Sequence, residues 1–167
     1  IGLVYERQGK IGKAREKYQQ MIQNLPGAPP AYFRLAQLLS SEGKLDESIN
    51  VLKKAIPLNP NLPVLYLQLA IVYEKKGDFD RAKDMLEKGL ETDPTAGKLH
   101  LELGNIFSLH LSDQGKALFH LKEAIRFMPD NYLAHLYLGD HYYRIGRINA
   151  ALPEWKSAEA IRPGDKR

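Results

Sequence analysis

Apolar side chains in this chain fall into stripes with the i, i+3, i+4, i+7 spacing of a helix face. One stripe reads Tyr32, Leu35, Ala36 and Leu39, and returns as Tyr66, Leu69, Ala70 and Tyr73. It appears again as His100, Leu103, Gly104 and Phe107, then as His135, Leu138, Gly139 and Tyr142, while at the start only Ile1, Gly2 and Tyr5 remain of it. A second stripe follows each, with a large residue at Tyr18, Leu52, Leu86, Leu121 and Trp155. Small columns flank it, at Ala14, Ser48, Ala82, Ala117 and Ala151 and at Met21, Ala55, Gly89, Ala124 and Ala158. Each unit closes on a proline, Pro26, Pro60, Pro94, Pro129 and Pro163, at intervals of 34, 34, 35 and 34 residues. The pattern predicts two helices per period and no strand.

Glycine recurs between the two helices at Gly9, Gly43, Gly77 and Gly146, where a tight helical hairpin needs positive φ. Helices that cross closely need Gly, Ala or Ser at the contact, with a large neighbour filling the hole opposite. Three departures change local geometry. The stretch 109–115 has one residue more than its counterparts and no glycine at the usual place, so a longer and more mobile turn is expected. Pro57 is expected to end a helix over 49–56 early, and Pro153 to bend one over 148–162, because the ring removes a backbone donor.

On these columns the chain resembles the tetratricopeptide repeat family, whose pattern is W-x2-L-G-x2-Y, then A-x3-F, then P. The match gives a partial repeat at 1–28 and full repeats at 29–62, 63–96, 97–131 and 132–165, about four and a half in one solenoid over 1–167. The resemblance implies an all-α fold, a right-handed superhelix of antiparallel helix pairs with first helices lining a concave surface. It also implies a role in protein binding.

Composition narrows the alternatives. With 44% hydrophobic and 26% charged residues, the chain has the balance of a packed globular protein rather than of a disordered one. No apolar run reaches the eighteen or so residues of a membrane span. The absence of Cys excludes disulfides and thiolate chemistry without deciding a compartment. A chain that opens at Ile1 and closes at Arg167 reads as a fragment, from which a targeting segment or a catalytic domain could be missing. Net charge is +4, but the middle repeats are near neutral and the excess lies at the ends, in Arg7, Lys10, Lys13, Arg15, Lys17, Lys166 and Arg167. Acids and bases interleave, so nucleic acid is not an expected partner.

Candidate chemistry is sparse. Gly9-Lys10-Ile11-Gly12-Lys13 and Ser41-Glu42-Gly43-Lys44 fit no nucleotide-binding spacing and read as turns. His100, His110, His120, His135 and His141 form no H-E-x-x-H motif and have no Cys co-ligands, so no metal, cofactor or catalytic residue is expected. The chain reads as a non-enzyme.

The first helices carry a further, partly apolar side opposite their contact with the second helices. It holds Phe33, Arg34 and Gln37; Val64, Leu67, Gln68, Ile71 and Glu74; Lys98, Leu101, Glu102 and Asn105; and Leu133, Leu136, Tyr137, Asp140, Tyr143 and Arg144. These are the expected peptide-binding groove, although the column Phe33, Leu67, Leu101 and Leu136 could equally be packing between neighbouring first helices. The Lys-and-Asn carboxylate clamp of the family's chaperone-binding members is matched at Asn105 alone. Its sugar-transferase Asn ladder is replaced by Arg34, Gln68, Glu102 and Tyr137. The expected function is a scaffold that holds a peptide or helical segment of a partner. A regulatory arm of a larger enzyme and a self-assembly module are the alternatives. Self-assembly would use Ile148, Ala151, Leu152, Trp155, Ala158 and Ile161, expected to face a space with no following helix.

Overall fold

The computed structural model describes residues 2–162, and over those residues the chain is ten α-helices with no strand. First helices are α1 (Gly2–Arg7), α3 (Pro29–Ser41), α5 (Pro63–Lys75), α7 (Gly97–Leu109) and α9 (Tyr132–Arg144). Second helices are α2 (Ile11–Asn24), α4 (Leu45–Leu58), α6 (Phe79–Thr92), α8 (Gln114–Phe127) and α10 (Ile148–Ile161). The chain divides into two compact units, residues 1–92 and 93–167, which hold α1 to α6 and α7 to α10. The expectations placed on Ile1, Pro163, Lys166 and Arg167 lie outside the described residues.

The turn glycines behave as their spacing predicts. Gly9, Gly43, Gly77 and Gly146 have φ of 70°, 77°, 78° and 76°. The next residue in each case donates back across the turn, Lys10 N–H to the Tyr5 carbonyl at 2.8 Å, Lys44 to Leu39 at 2.9 Å, Asp78 to Tyr73 at 2.9 Å and Arg147 to Tyr142 at 2.8 Å. These bonds satisfy carbonyls that a helix end would leave open. In the longer turn Ser112 takes the left-handed conformation, at φ 52°, and Asp113 N–H reaches the Phe107 carbonyl at 3.2 Å.

The column prolines end the second helices. A residue before proline is pushed out of the helical region. Leu25, Asn59 and Met128, which precede Pro26, Pro60 and Pro129, accordingly have φ/ψ of −141°/78°, −144°/61° and −139°/66°. Pro57 has no such effect, which corrects the expected early stop: α4 continues to Leu58. A proline ring already has helical φ, and this close to the end it deletes one backbone bond while Asn59 N–H still closes on the Ala55 and Ile56 carbonyls. Helix α10 also runs unbroken through Pro153.

Packing follows the small and large columns. A Cβ added at Gly2 would lie 2.5 Å from the Tyr18 ring, one at Gly104 would lie 2.6 Å from Leu121 Cγ, and one at Gly139 would lie 2.5 Å from Trp155 Cδ1. The first helix therefore offers a hole that the large residue of its own second helix fills. Leu52, Leu86 and Leu121 are fully buried there, each worth about 1.5–3 kcal/mol of burial. Ser48, in a column otherwise Ala, is buried too and donates its hydroxyl to the Ala36 carbonyl at 2.8 Å. The expected open row on α10 divides: Ala151 and Ala158 are buried, while Ile148, Leu152 and Ile161 are exposed.

Candidate partner-binding faces

In three repeats the aromatic column ties the start of the first helix to the proline turn just before it. Tyr66 Oη donates to the Pro60 carbonyl at 3.0 Å. His100 Nε2 and His135 Nε2 occupy the same place and donate to the Pro94 and Pro129 carbonyls, both at 3.1 Å. This recurring tether closes the turn that leads into α5, α7 and α9. The two histidines read as aromatic-column residues are thus hydrogen-bonding members of it, for a carbonyl needs only a donor at that distance.

In the unit of residues 1–92 the expected face lies on α3 and α5, which touch each other. Phe33, Leu67 and Ile71 are half-buried and Val64 is 44% exposed. Arg34 leans on Gln37, Nη1 to Oε1 at 3.4 Å. Gln68 departs from the expected open position: it is buried, at 7% exposure. Glu74, at the end of the row, is half-buried.

In the unit of residues 93–167 the face lies on α7 and α9. Leu101 is a second departure, 4% exposed and packed with Leu121, Ala124, Ala134 and Leu138. For this member of the Phe33, Leu67, Leu101, Leu136 column, packing is the answer. Lys98 is exposed, Leu133 and Leu136 are half-buried, and Tyr143 is 59% exposed. Burial pushes the Glu102 carboxyl above the usual carboxylate range.

Four expected residues, Asn105, Tyr137, Asp140 and Arg144, come together around a cavity of about 270 Å³, with Ser108, Leu109 and Leu121 completing its wall. Arg144 Nη1 donates to the Ser108 carbonyl at 2.8 Å, and Trp155 Nε1 donates to Asp140 Oδ1 at 2.9 Å. Both charged groups are thereby held in place, so the cavity presents an amide, a phenol, a guanidinium and a carboxylate in fixed positions. Such a set combines hydrogen-bond donors and acceptors at the mouth of one cavity.

Sequence reasoning missed Ser108 and His141. Ser108 Oγ lies 2.9 Å from His141 Nδ1, and His141 is fully buried with Nε2 unpartnered. Burial lowers the His141 pKa first, the charge of Arg144 adds to it, and the Gln114 backbone, too poorly aligned for a full hydrogen bond to Nε2, opposes it weakly. A signal was present: the column Leu38, Val72, Ile106 and His141 is apolar and buried in its first three members. Among the described residues there is no cluster of three or more His, Cys, Asp or Glu able to hold a metal. No helix of the described residues is long and apolar enough to cross a membrane.

Family models for the TPR repeat match residues 36–77, and tetratricopeptide repeat models match 63–106, 113–166 and 1–28. A search of curated proteins finds no sequence match. Among solved structures, MamA 41-end from Desulfovibrio magneticus RS-1 superposes with a TM-score of 0.80 at 18% identity, over 99% of this chain and 94% of that one. The thermophilic TPR protein TTC0263 of Thermus thermophilus gives 0.77 at 23% identity, over 98% and 89%. YrrB, described as a TPR protein with an unusual peptide-binding site, gives 0.73 at 16% identity, over 98% and 84%. These likenesses fit the all-helical solenoid read from the sequence.

Proposed function

Because the chain belongs to the tetratricopeptide repeat family, we propose that it is a non-catalytic interaction scaffold that holds an extended or helical segment of a partner protein against its first helices. One observation carries this reading: apolar side chains stay open where the fold does not need them, Val64 at 44% and Tyr143 at 59% exposure. Half-buried Phe33, Leu67 and Ile71 flank the first, and Leu133 and Leu136 stand on the helix of the second. A solenoid helix needs one buried face, and apolar residues beyond it provide anchors for a partner. Polar groups flank them at Arg34, Lys98, Asp140 and Arg144, which suits an interface with an apolar centre and a polar rim. The peptide site of YrrB supports the same use of a similar fold.

Selection of binders from a random displayed peptide library on the whole chain tests the reading. Leu67→Ser and Leu136→Ser should each weaken selected peptides about tenfold, roughly 1.4 kcal/mol, with little change in melting temperature. A stability loss of about 2–5 kcal/mol, the size of a core truncation, would assign both leucines to packing and remove the basis of the proposal.

A further inference from the structure

A cleft of about 480 Å³ opens in the unit of residues 1–92 between α4 and α6, with α5 as its floor. The floor residues are Tyr66, Leu69 and Tyr73, which lie roughly opposite Val64, Leu67 and Ile71 on the α5 wheel. The cleft is therefore separate from the first-helix face described above.

Its walls are apolar low down and cationic at the rim. Ile56 and Met85, both half-buried, face the cleft from α4 and α6. Lys53 stands on the α4 wall, and Arg81 and Lys88 stand on the α6 wall, all three exposed. The one acid lining it, Asp84, is already paired with Lys83 at 2.9 Å. Arg81 is held in position, its guanidinium 5.8 Å from the centre of the Tyr73 ring and its Nε 3.3 Å from Asp78 Oδ2. An arginine fixed in this way loses less freedom when it meets a carboxylate.

The repeats supply an internal control. The places taken by Lys53, Arg81 and Lys88 hold Gln19, Glu47 and Lys54 one repeat earlier and Lys122, Ala150 and Ser157 two repeats later. The fold does not require three cations around this opening, yet one junction has them.

We propose that this cleft is a second docking site, and that it takes an extended acidic peptide segment. An aliphatic or aromatic side chain of the segment enters between Ile56 and Met85 over the tyrosine floor, and flanking carboxylates meet Lys53, Arg81 and Lys88. Charge complementarity selects this occupant: a basic segment would be repelled by the rim, and a bare polyanion would leave the apolar floor unfilled.

Fluorescence anisotropy of the whole chain with a labelled peptide of alternating glutamate and leucine tests the proposal, with methyl NMR of Ile56 and Met85 reporting the place of binding. Binding that shifts both methyl signals, weakens several-fold from low to physiological salt, and falls tenfold or more in Lys53→Glu/Lys88→Glu is the expected result. Leu67→Ser, on the other side of α5, should leave the affinity within about twofold, so failure here and failure of the first-helix face are distinguishable. No binding overturns the proposal, as does binding untouched by the charge reversal. Equal affinity for a lysine and leucine peptide would show unselective apolar contact, and equal affinity for an RNA oligonucleotide would show a polyanion surface, and either overturns it as well. Thermal melts of Lys53→Glu/Lys88→Glu within a few degrees of the parent show that the variant folds.

Discussion

Residues 2–92 and 93–162 build the same helix pairs from different chemistry. The first unit has no histidine and the second has all five. Where Tyr66 tethers α5 through a hydroxyl, His100 and His135 tether α7 and α9 through a ring nitrogen. Where Ala36 and Ala70 meet the large column in the first unit, Gly104 and Gly139 meet it in the second. One backbone plan accepts both sets because each position asks only for a size or a donor. The second set carries a liability that the first does not, the half-buried His120 and the buried His141. Its large column also fills two holes with no room for a methyl group, at Gly104 and Gly139, where that of the first fills one, at Gly2.

The largest expected effect comes from equalising the holes. Gly139→Ala introduces a Cβ 2.5 Å from Trp155 Cδ1 and 2.6 Å from Nε1, while that indole is bound to Asp140. The ring must shift, and overpacking of this kind costs about 1–3 kcal/mol. A gain of up to about 1 kcal/mol in helix propensity opposes it. The net expectation is a loss of about 1–2 kcal/mol by chemical denaturation with a changed Trp155 emission. An Ala accepted at no cost would show that the hole is not filled as described.

Acid should act on the second unit first. His100 Nε2–H is committed to the Pro94 carbonyl, so its Nδ1 accepts from His120 Nδ1–H at 2.9 Å. The His120 pKa is lowered to about 4, mainly by burial, then by the neighbouring His100 and Lys116. The unfolded ring titrates near 6.5, so between pH 6.5 and 4 the unfolded chain binds more protons than the folded one. The contribution of His120 is complete above pH 6.5 and is lost as pH falls through that window, by about 1 kcal/mol at pH 5 once solvent screening is allowed for. His141, lowered by burial and by Arg144, adds in the same direction. Glu102, raised by burial, opposes it in the acid range. Amide exchange at pH 7 and pH 5 should show α7 to α10 losing protection while α3 to α6 keep theirs, and an equal loss in both units would break the comparison.

These liabilities were only partly legible in the sequence. Repeat period, helix pairing, turn glycines and the filled holes all follow from columns of size at fixed spacing, since packing in a repeat depends on volume and periodicity. Pro57 was misread because a pattern does not show that a proline one turn from a helix end forfeits one bond rather than the turn. Gln68 and Leu101 were placed on an open face because a helical wheel gives direction and not what a neighbouring helix covers. Ser108 and His141 escaped because the column that marks His141 as out of place, Leu38, Val72 and Ile106, does not tell which side chain its ring would meet, and the Ser108 partner lies 33 residues away on the neighbouring first helix.

His141→Leu should narrow the difference between the units by giving α9 the apolar residue that Leu38, Val72 and Ile106 supply to α3, α5 and α7. It deletes a buried nitrogen that has no partner at full hydrogen-bond geometry, which costs about 1–3 kcal/mol to keep, and forfeits the bond to Ser108 and the weaker pull of the Gln114 backbone. The expectation is a gain of about 1 kcal/mol at pH 7 and a larger gain at pH 5. A destabilised variant would mean that the Ser108 contact outweighs the orphaned nitrogen.

The smallest effect separates the two kinds of tether directly. Tyr66→Phe keeps the ring and removes the hydroxyl that donates to the Pro60 carbonyl, in a residue only 9% exposed. A neutral hydrogen bond of this kind contributes about 0.5–1.5 kcal/mol, and its loss should lie in that range. His135→Phe removes the matching donor to Pro129 and, with it, the contact of Nδ1 with Glu154 Oε2 at 2.8 Å. The imidazole thus meets two acceptors, a carbonyl and a carboxylate, where the phenol meets one. His135→Phe should therefore cost more than Tyr66→Phe. Parallel denaturation curves of both variants decide the matter, and equal costs would mean that the imidazole tether works as the phenol does.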